Sequence, residues 1–330
     1  MEDVPVPQPR PNEVLVAVRA NGLCGSDIHF YEDGKLGPFR VDRPYIPGHE
    51  ACGVVTRAAA DGSGPREGGR VSIEPGVPCR RCPLCKSGRY NLCRDVVFMS
   101  APPVNGTFAE YAAVASDFAH PLPDTMDDET GAFVEPLAVA VQACSRSGLS
   151  AGATAVVIGA GPIGLVTMLA AAAFGAARLI AVDVMDHRLA LASRLCGAAT
   201  VNPRTSEAER AVSDLTGGLG APWVFDASGS AAGASLAPRL ASRGGVVTLI
   251  GWPEKESFPF PVEQVIDKEL DVRGVNRYAN AYPRSIALLA AGRIDLKPLI
   301  SHRFPFRETR EAFAFASAHR GETVKVMILG

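Results

Sequence analysis

The pattern of apolar and polar positions divides the chain into regions that differ in their predicted secondary structure. Short apolar or alternating runs at 13–20, 52–56, 70–74 and 109–114 predict β-strands separated by Gly- and Pro-rich connections. From about residue 153, apolar runs alternate with helical patterns, which predicts βαβ units and a parallel sheet. The elements predicted there are strands at 154–158, 179–182, 223–226 and 246–250 and helices beginning at 162, 186 and 231. A last strand is predicted at 324–329.

The uncharged stretch 155–177 is nearly as long as the ~20 residues of a membrane helix. Gly159, Gly161, Pro162 and Gly164 interrupt it, so it predicts a strand, a tight turn and an Ala-rich helix instead. The amino-terminal residues contain neither a basic segment nor an apolar one, and no signal peptide is predicted. We expect a cytoplasmic protein that has no membrane partner.

Length, charge and cysteine placement narrow the class of protein. At roughly 150 residues per domain, a chain of 330 residues predicts two domains. The 33 basic and 35 acidic side chains leave a net charge of −2, which offers no basic surface for nucleic acid. Of the 8 cysteines, four lie between Cys79 and Cys93 and four are scattered. Such a cluster in a long chain indicates a metal site rather than a disulfide framework.

The run Gly159-Ala-Gly161-Pro162-Ile163-Gly164 fits G-x-G-x-x-G, and it lies between a predicted strand and a predicted helix. Its first two glycines permit the turn and the close approach of a pyrophosphate, and the third permits close helix–strand packing. Pro162 is compatible with the first helical position, where its missing N–H costs nothing. The run therefore predicts a Rossmann domain that binds a dinucleotide.

Asp183 ends the next predicted strand, about twenty residues after the last glycine, where an acid binds the ribose hydroxyls of NAD. A 2′-phosphate would meet this carboxylate, which favours NAD over NADP. Arg188 lies nearby and weakens that preference, because an arginine can accept the phosphate. The alternative is a structural glycine turn with Asp183 as a capping residue.

The clustered cysteines have the spacing of a closed metal site. They are Cys79, Cys82, Cys85 and Cys93. Zinc takes four thiolates tetrahedrally, and C-x2-C turns let neighbouring sulfurs point at one ion. The alternatives are an iron–sulfur cluster, although the Cys-Pro ending of ferredoxins is absent here, or two disulfides.

A second constellation offers ligands for a catalytic zinc. Cys24, His49 and Glu50 carry thiol, imidazole and carboxylate groups. The spacing alone is also compatible with Cys24 as a buried apolar residue and with His49 as a histidine of the core.

These motifs, taken in order, resemble the zinc-containing medium-chain alcohol dehydrogenases, and in particular their polyol branch of sorbitol and xylitol dehydrogenases. The segments that carry the resemblance are Gly22–His29, Gly48–Glu50, Ile73–Gly76, Gly88–Cys93, Val134–Leu137, Gly159–Gly164 and Gly274–Tyr278. The resemblance covers nearly the whole chain. It implies an α/β fold in which a doubly wound Rossmann sheet accompanies a mainly β, GroES-like catalytic domain.

The resemblance also implies a zinc centre and its surroundings. Cys24, His49 and Glu50 match the ligands of the catalytic zinc, and Glu135 matches the acid beside a zinc-bound water or substrate oxygen. Asp27 matches the acid that orients the histidine ligand.

The same resemblance assigns a proton relay to Ser26 and His29, running past the nicotinamide ribose to solvent. Arg277 and Tyr278 match the substrate-contacting pair of the polyol branch. Phe30 stands where animal sorbitol dehydrogenases have a tyrosine that reaches the substrate, so the polyol preference is expected to differ.

The activity implied is reversible, zinc-dependent oxidation of a secondary alcohol of a polyol to a ketose with NAD. Asp183 and Arg188 match the adenosine-ribose contacts of that branch. One alternative is an L-threonine dehydrogenase or another secondary-alcohol dehydrogenase of the family. A remote one is a non-enzymatic NAD-binding scaffold. The expected partners are a small-molecule polyol or ketose and further copies of the chain, as a homotetramer or homodimer.

The domain boundaries expected are 1–140 with 276–330 for the catalytic domain and 141–275 for the NAD-binding domain. The remaining histidines are expected to be solvated or at helix ends; they are His120, His187, His302 and His319. The remaining cysteines are expected to be small core residues; they are Cys52, Cys144 and Cys196.

Overall fold

The computed structural model describes residues 2–253 and 257–330. The chain divides into two compact units. The first unit contains the residues up to Pro136 together with Ala279–Gly330, and the second unit is Leu137–Tyr278. The first unit is therefore built from both ends of the chain.

The first unit is mainly β. Its strands are β1 (Glu13–Gly22), β2 (Lys35–Leu36), β3 (Phe39–Arg40), β4 (Glu50–Arg57), β5 (Arg70–Ile73), β6 (Gly76–Val77), β7 (Val97–Phe98), β8 (Tyr111–Ala115), β9 (Ala119–Pro121), β16 (Ile300–Pro305) and β17 (Lys325–Leu329). Its helices are α1 (Gly25–Asp33), α2 (Pro83–Lys86), α3 (Asp128–Ala132), α10 (Tyr282–Ala290) and α11 (Thr309–Ala318). Short 3₁₀ helices cover Tyr90–Leu92, Ser116–Phe118, Lys297–Leu299 and Phe306–Glu308. The helix α4 (Val134–Ser147) begins in this unit and continues into the second.

Strand β1 organises the seven-stranded sheet of the first unit. The sheet order is β16-β17-β1-β4-β5-β9, and β8 also pairs with β1. The carboxyl-terminal strand β17 lies antiparallel to the end of β1, with Ala20 opposite Leu329. Buried aliphatic side chains from β1, β4, β5, β8 and β9 form one core cluster. A strand from the far end of the chain thus completes the sheet that the amino-terminal strands begin.

The second unit is a parallel sheet with helices between its strands. The strands are β10 (Thr154–Ile158), β11 (Arg178–Val182), β12 (Ala199–Val201), β13 (Ala221–Asp226), β14 (Ala241–Leu249) and β15 (Asp271–Gly274). The helices are α5 (Pro162–Ala173), α6 (Asp186–Cys196), α7 (Ala208–Leu215), α8 (Ala231–Leu240) and α9 (Val262–Asp267).

The strand order β12-β11-β10-β13-β14-β15 is that of a doubly wound dinucleotide-binding sheet, with its switch point between β10 and β13. All of its pairings are parallel. The predicted α/β fold class is confirmed. The strand predicted at 246–250 begins earlier, at Ala241.

The uncharged stretch 155–177 forms most of β10, a turn and α5. None of the helices in the described ranges is long and apolar enough to cross a membrane.

The turn between β10 and α5 requires glycine at two positions. Gly159 has φ +87°, in the left-handed region that favours glycine. A Cβ atom added to Gly164 would lie 1.7 Å from the carbonyl oxygen of Gly159. The first turn of α5 therefore packs against the end of β10 at a distance that only glycine allows.

Two of the histidine predictions were wrong. His120 lies on β9, stacks on Tyr282 with 4.8 Å between ring centroids, and bonds the buried Glu74 at 2.7 Å. His302 lies on β16 and packs on Phe315 with 4.6 Å between centroids. The partners of His120 come from distant parts of the chain, and the partner of His302 lies on the following helix, α11, so neither contact follows from the neighbouring residues.

The other residues given ordinary roles mostly behave as expected. His187 is exposed in the first turn of α6, and His319 follows the last residue of α11. Cys52 and Cys144 are fully buried. Cys196, the last residue of α6, is only partly buried, so its assignment to the core was wrong.

A methyl group at Gly164 is expected to destabilise the second unit. We expect Gly164→Ala to lower the free energy of unfolding by about 1–3 kcal/mol, because the new atom forces α5 away from β10. Gly161→Ala is the matched control, since its Cβ would have no neighbour closer than Arg188 Nη1 at 3.8 Å. Urea unfolding of both variants measures the difference. Equal stability of the two would contradict this account of the turn.

Candidate active site and metal centres

The end of β1 and the start of β4 bring three potential metal ligands together. Gly22 pairs with Glu50 across the two antiparallel strands, and Cys24 follows as the residue before α1. The ligand atoms of Cys24, His49 and Glu50 all lie within 4.8 Å of one another. Thiolate, imidazole and carboxylate are ligands that zinc accepts.

A buried aspartate holds the loops that carry these groups. Asp27, 1% exposed, accepts the backbone N–H of Cys24 through Oδ2 at 3.1 Å. Its Oδ1 accepts the Ser100 hydroxyl at 2.8 Å and the Gly48 N–H at 3.3 Å. The Ser100 hydroxyl also accepts the Gly48 N–H at 2.9 Å. Sequence reasoning missed Ser100, because nothing near it in the chain connects it to Asp27.

The charges around His49 favour a cation at this position. Burial lowers the pKa of His49, but the carboxylate of Asp27 and the thiol of Cys24 raise it well above its ordinary value. The Nδ1 atom is buried, lies 3.7 Å from Asp27 Oδ1 and makes no hydrogen bond in the described part of the chain. Metal-bound imidazoles direct their second nitrogen to a carboxylate in this way. Both observations fit His49 as a metal ligand.

Glu50 has a partner that the sequence analysis did not find. The Lys325 ammonium donates to both carboxylate oxygens, at 2.8 and 2.6 Å, and to the carbonyl of Leu23 at 3.3 Å. Lys325 and Glu50 are 3% and 2% exposed. Burial lowers the pKa of Lys325, but the charge of Glu50 raises it above the ordinary value, so the lysine stays charged. The sequence feature that could have indicated this pair is a single lysine within an otherwise apolar terminal strand.

The remaining candidates of the first unit surround this cluster or lie on α1. Glu135, on the first turn of α4, is 6% exposed and close enough to raise the pKa of both His49 and Lys325. Ser26 and His29 are one helical turn apart on α1, and His29 Nδ1 lies 3.4 Å from Asp33 Oδ2.

Phe30 is 8% exposed and contacts Tyr45 edge to face, with 6.2 Å between ring centroids. It is an apolar residue of α1 and offers no hydroxyl.

The four clustered cysteines form a second potential metal centre. The ligand sulfurs of Cys79, Cys82, Cys85 and Cys93 lie within 4.8 Å of one another. The Sγ atoms of Cys82 and Cys85 are 3.4 Å apart, and those of Cys79 and Cys85 are 3.9 Å apart. Four sulfurs at about 2.3 Å from a zinc ion stand about 3.8 Å from each other. The spacing therefore fits a tetrahedral zinc site.

The thiols of this centre differ in acidity. Backbone N–H groups of Arg81 and Cys82 lower the pKa of Cys79 to about 7. Burial and the neighbouring thiols raise the pKa of Cys85 to about 12. The amides at Cys79 thus favour the thiolate that zinc requires.

The glycine loop of the second unit fits a dinucleotide pyrophosphate. Gly161 precedes α5, with no side-chain cap at the helix end and with Pro162 at its start. The space where a Cβ of Gly161 would stand is open, with Arg188 Nη1 as the nearest atom at 3.8 Å. An uncapped helix end beside open space leaves N–H donors for an anion. Ile163 and Gly164 continue the first turn of the helix.

Asp183 lies at the end of β11 beside this loop. Its Oδ2 accepts the Ala160 N–H at 2.6 Å and its Oδ1 accepts the Met185 N–H at 2.8 Å. Each oxygen retains a second lone pair with which to accept a ribose hydroxyl. The structure therefore brings Asp183, Arg188 and the glycine loop together.

Arg277 and Tyr278 follow β15 at the end of the second unit. Arg277 has φ +54°, in the left-handed region, and Tyr278 is 3% exposed. These residues lie on a tightly turned segment.

Comparison with known proteins agrees with this geometry. The model of the alcohol dehydrogenase GroES-like domain matches residues 10–124, and the model of the zinc-binding dehydrogenases matches residues 162–291. Sorbitol dehydrogenase of Bacillus subtilis (strain 168) is 37% identical over 99% of this chain and 93% of its own length. Sorbitol dehydrogenase of Gallus gallus is 38% identical over 99% of this chain and 92% of its own.

The crystal structure of L-idonate 5-dehydrogenase from Escherichia coli has a TM-score of 0.90 and 32% identity, covering 97% of this chain and 92% of that one. The chain belongs to the zinc-binding medium-chain dehydrogenases. Within that family it lies in the polyol branch, and its cofactors are zinc and NAD or NADP.

Removal of Lys325 is expected to destabilise this dehydrogenase most when zinc is absent. Lys325→Met leaves the buried Glu50 carboxylate without its partner, which costs about 3–5 kcal/mol of folding free energy. Zinc beside Glu50 offsets part of this loss. Urea unfolding with chelator and with added zinc measures both values.

The matched control for that experiment is Lys297→Met, because Lys297 pairs with Asp127 at the surface. Its effect is expected to stay below about 1 kcal/mol. Equal losses of unfolding free energy in the two variants would show that the buried Glu50–Lys325 pair contributes no more to stability than a surface ion pair does.

Loss of one clustered thiol is expected to remove one zinc ion. Cys82→Ser should reduce the zinc content of the dehydrogenase from two ions to about one per subunit and lower its melting temperature. Cys196→Ser, at a partly buried cysteine outside the cluster, is the control. Atomic emission spectroscopy and thermal unfolding give both readouts. A full zinc content in Cys82→Ser would contradict the assignment.

Proposed function

We propose that this enzyme is a zinc-dependent, NAD-linked polyol dehydrogenase that interconverts a secondary alcohol and a ketone. The observation that carries the proposal is the cluster of the partly buried Cys24 with the buried His49 and Glu50, whose ligand atoms lie within 4.8 Å of one another. The glycine loop of the second unit supports the dinucleotide part. The first unit thus supplies the metal residues and the second unit the cofactor residues.

Cys24, His49 and Glu50 would hold the catalytic zinc. Zinc bound there supplies a Lewis acid that lowers the pKa of the substrate hydroxyl. Asp27 accepts the backbone N–H groups of Cys24 and Gly48 and so holds both loops, and it faces the second nitrogen of His49. Glu135 adds a carboxylate beside this cluster that can accept a hydrogen bond from the substrate.

Two side chains on α1 carry the proton of the substrate hydroxyl to solvent. Ser26 and His29 lie one helical turn apart on the same face, and the His29 side chain is 37% exposed. Ser26 accepts the proton and passes it to His29, which releases it to solvent.

The cofactor is NAD. The helix end at Gly161 receives the pyrophosphate, and Asp183 accepts hydrogen bonds from the adenosine ribose. The carboxylate disfavours a 2′-phosphate at the same place, because the two groups carry like charge. Arg188 is the group that would reduce this discrimination.

The substrate is a small polyol, contacted by Phe30, Arg277 and Tyr278. Sorbitol dehydrogenases of two organisms support this class through their identity with the chain. We further infer that the functional domains are 1–140 with 276–330 and 141–275. The polyol branch also favours assembly as a homotetramer or homodimer.

A substrate panel tests the proposal. We expect the zinc-loaded enzyme to oxidise at least one of sorbitol, xylitol and galactitol with NAD, and L-threonine more slowly. With NADP we expect kcat/KM to fall at least about tenfold, because the 2′-phosphate and the Asp183 carboxylate carry like charge. A preference for L-threonine would change the assigned substrate class from polyols to an amino acid. Absence of turnover with every substrate would refute the proposed function.

A variant tests the role of Glu135 in the same assay. Glu135→Gln is expected to lower kcat at least about tenfold while the affinity for NADH stays constant, because the side chain acts on the substrate alone. Glu263→Gln, on the exposed face of α9, is the control. NADH binding is followed by fluorescence titration. An unchanged kcat would remove Glu135 from the mechanism.

A further inference from the structure

A polar network around one buried glutamate connects the cysteine-bearing lobe, residues 79–93, with the first residues of the returning chain. Its centre is Glu74, 2% exposed, which follows β5. Glu74 accepts the Tyr90 hydroxyl at Oε1 and bonds His120 Nε2 at Oε2, both at 2.7 Å. Neither zinc centre nor the cofactor loop uses these groups.

Tyr90 joins this network to Asn280. The Tyr90 hydroxyl accepts the backbone N–H of Asn280 at 2.8 Å while it donates to Glu74. Burial and the Glu74 charge raise the pKa of Tyr90, so the hydroxyl remains protonated and keeps its donor role. The Asn280 side chain adds a bond from Nδ2 to the Gly88 carbonyl, at 3.0 Å. Two bonds thus tie Asn280 to the cysteine-bearing lobe.

Tyr282, two residues after Asn280, is also held by a hydrogen bond and a ring contact. Tyr282 is fully buried, donates its hydroxyl to the Ile73 carbonyl at 2.7 Å and stacks on His120. Ile73 and Glu74 are adjacent in the chain. The stretch 280–282 is therefore held by the end of β5, by β9 and by the cysteine-bearing lobe together.

The residues before Asn280 are those assigned to the substrate. Arg277 and Tyr278 precede it by three and two positions. Both Arg277 and Asn280 have left-handed backbone conformations, with φ +54° and +56°. Such conformations are uncommon for residues with side chains and persist where surrounding contacts impose them. A fixed Asn280 therefore restricts the turn that carries Arg277 and Tyr278.

We propose that Tyr90 is a positioning residue, whose hydroxyl, held by Glu74, fixes Asn280 and with it the conformation of the substrate-contacting pair Arg277–Tyr278. The cysteine-bearing lobe then contributes to substrate affinity in addition to stability. Tyr90 touches no reacting atom in this role. The proposal rests on the proposed function for the identity of the substrate contacts.

The first experiment is independent of activity. Tyr90→Phe removes one hydroxyl and leaves the ring, which packs edge to face on Phe118 with 5.7 Å between centroids. In the zinc-loaded enzyme without substrate, we expect the amides of 276–281 to exchange hydrogen at least about tenfold faster. Tyr111→Phe, at a surface tyrosine of β8, is the control and should exchange as the wild type does. Unchanged exchange in Tyr90→Phe would overturn the proposal.

The second experiment separates positioning from general stability. With sorbitol and NAD we expect Tyr90→Phe to raise KM for sorbitol about five- to twentyfold with kcat within about twofold of the wild type. Zinc content and the KM for NAD should not change. Glu74→Gln, with Tyr90 intact, keeps an oxygen that accepts the Tyr90 hydroxyl, so its KM should stay within about twofold of the wild type.

The outcomes distinguish this proposal from the proposed function. An unchanged KM, or a loss confined to kcat or zinc content, would make Tyr90 a structural residue and overturn the proposal. Failure of the wild type to oxidise any polyol would refute the proposed function instead. The exchange experiment would then still decide whether Tyr90 holds the segment.

Discussion

The buried pair of Glu50 and Lys325 is the interaction on which the candidate metal site depends. A carboxylate inside the protein is costly unless a positive group neutralises it, and two hydrogen bonds from one ammonium do so here. The pair also joins the first residue of β4 to the first residue of β17, which lie 275 positions apart in the chain. The electrostatics of the site and the closure of the sheet are therefore one arrangement.

Negative charge is concentrated around this pair, and that concentration gives the site its chemistry. Asp27, Cys24 and Glu135 each raise the pKa of His49, and Glu50, Cys24 and Glu135 do so for Lys325. One buried lysine does not balance so many acidic groups, so a divalent cation is accommodated at low electrostatic cost. In the second unit, the features that suit an anion belong to the backbone rather than to charged side chains. There, the open space at Gly161 and the uncapped helix end leave room and N–H donors for a phosphate.

The predictions succeeded where the signal is local. Alternation of short apolar runs with helical patterns predicted the strands and helices of the second unit, and the glycine spacing predicted the turn before α5. The prediction for Cys196 failed because a helix end is less buried than its apolar neighbours suggest. His120 failed for another reason, since its partners Glu74 and Tyr282 are brought to it only by the folded sheet.

The sequence by itself determined the fold class, the glycine turn before α5 and the residue types of two candidate metal centres, because each is carried by local patterns and spacings along the chain. The tertiary structure decided which groups complete those sites. Ser100 reaches Asp27 across 73 positions, and Asn280 reaches Tyr90 across 190. No periodicity encodes such pairings. They arise when strand register and buried charge leave each polar group one satisfactory partner.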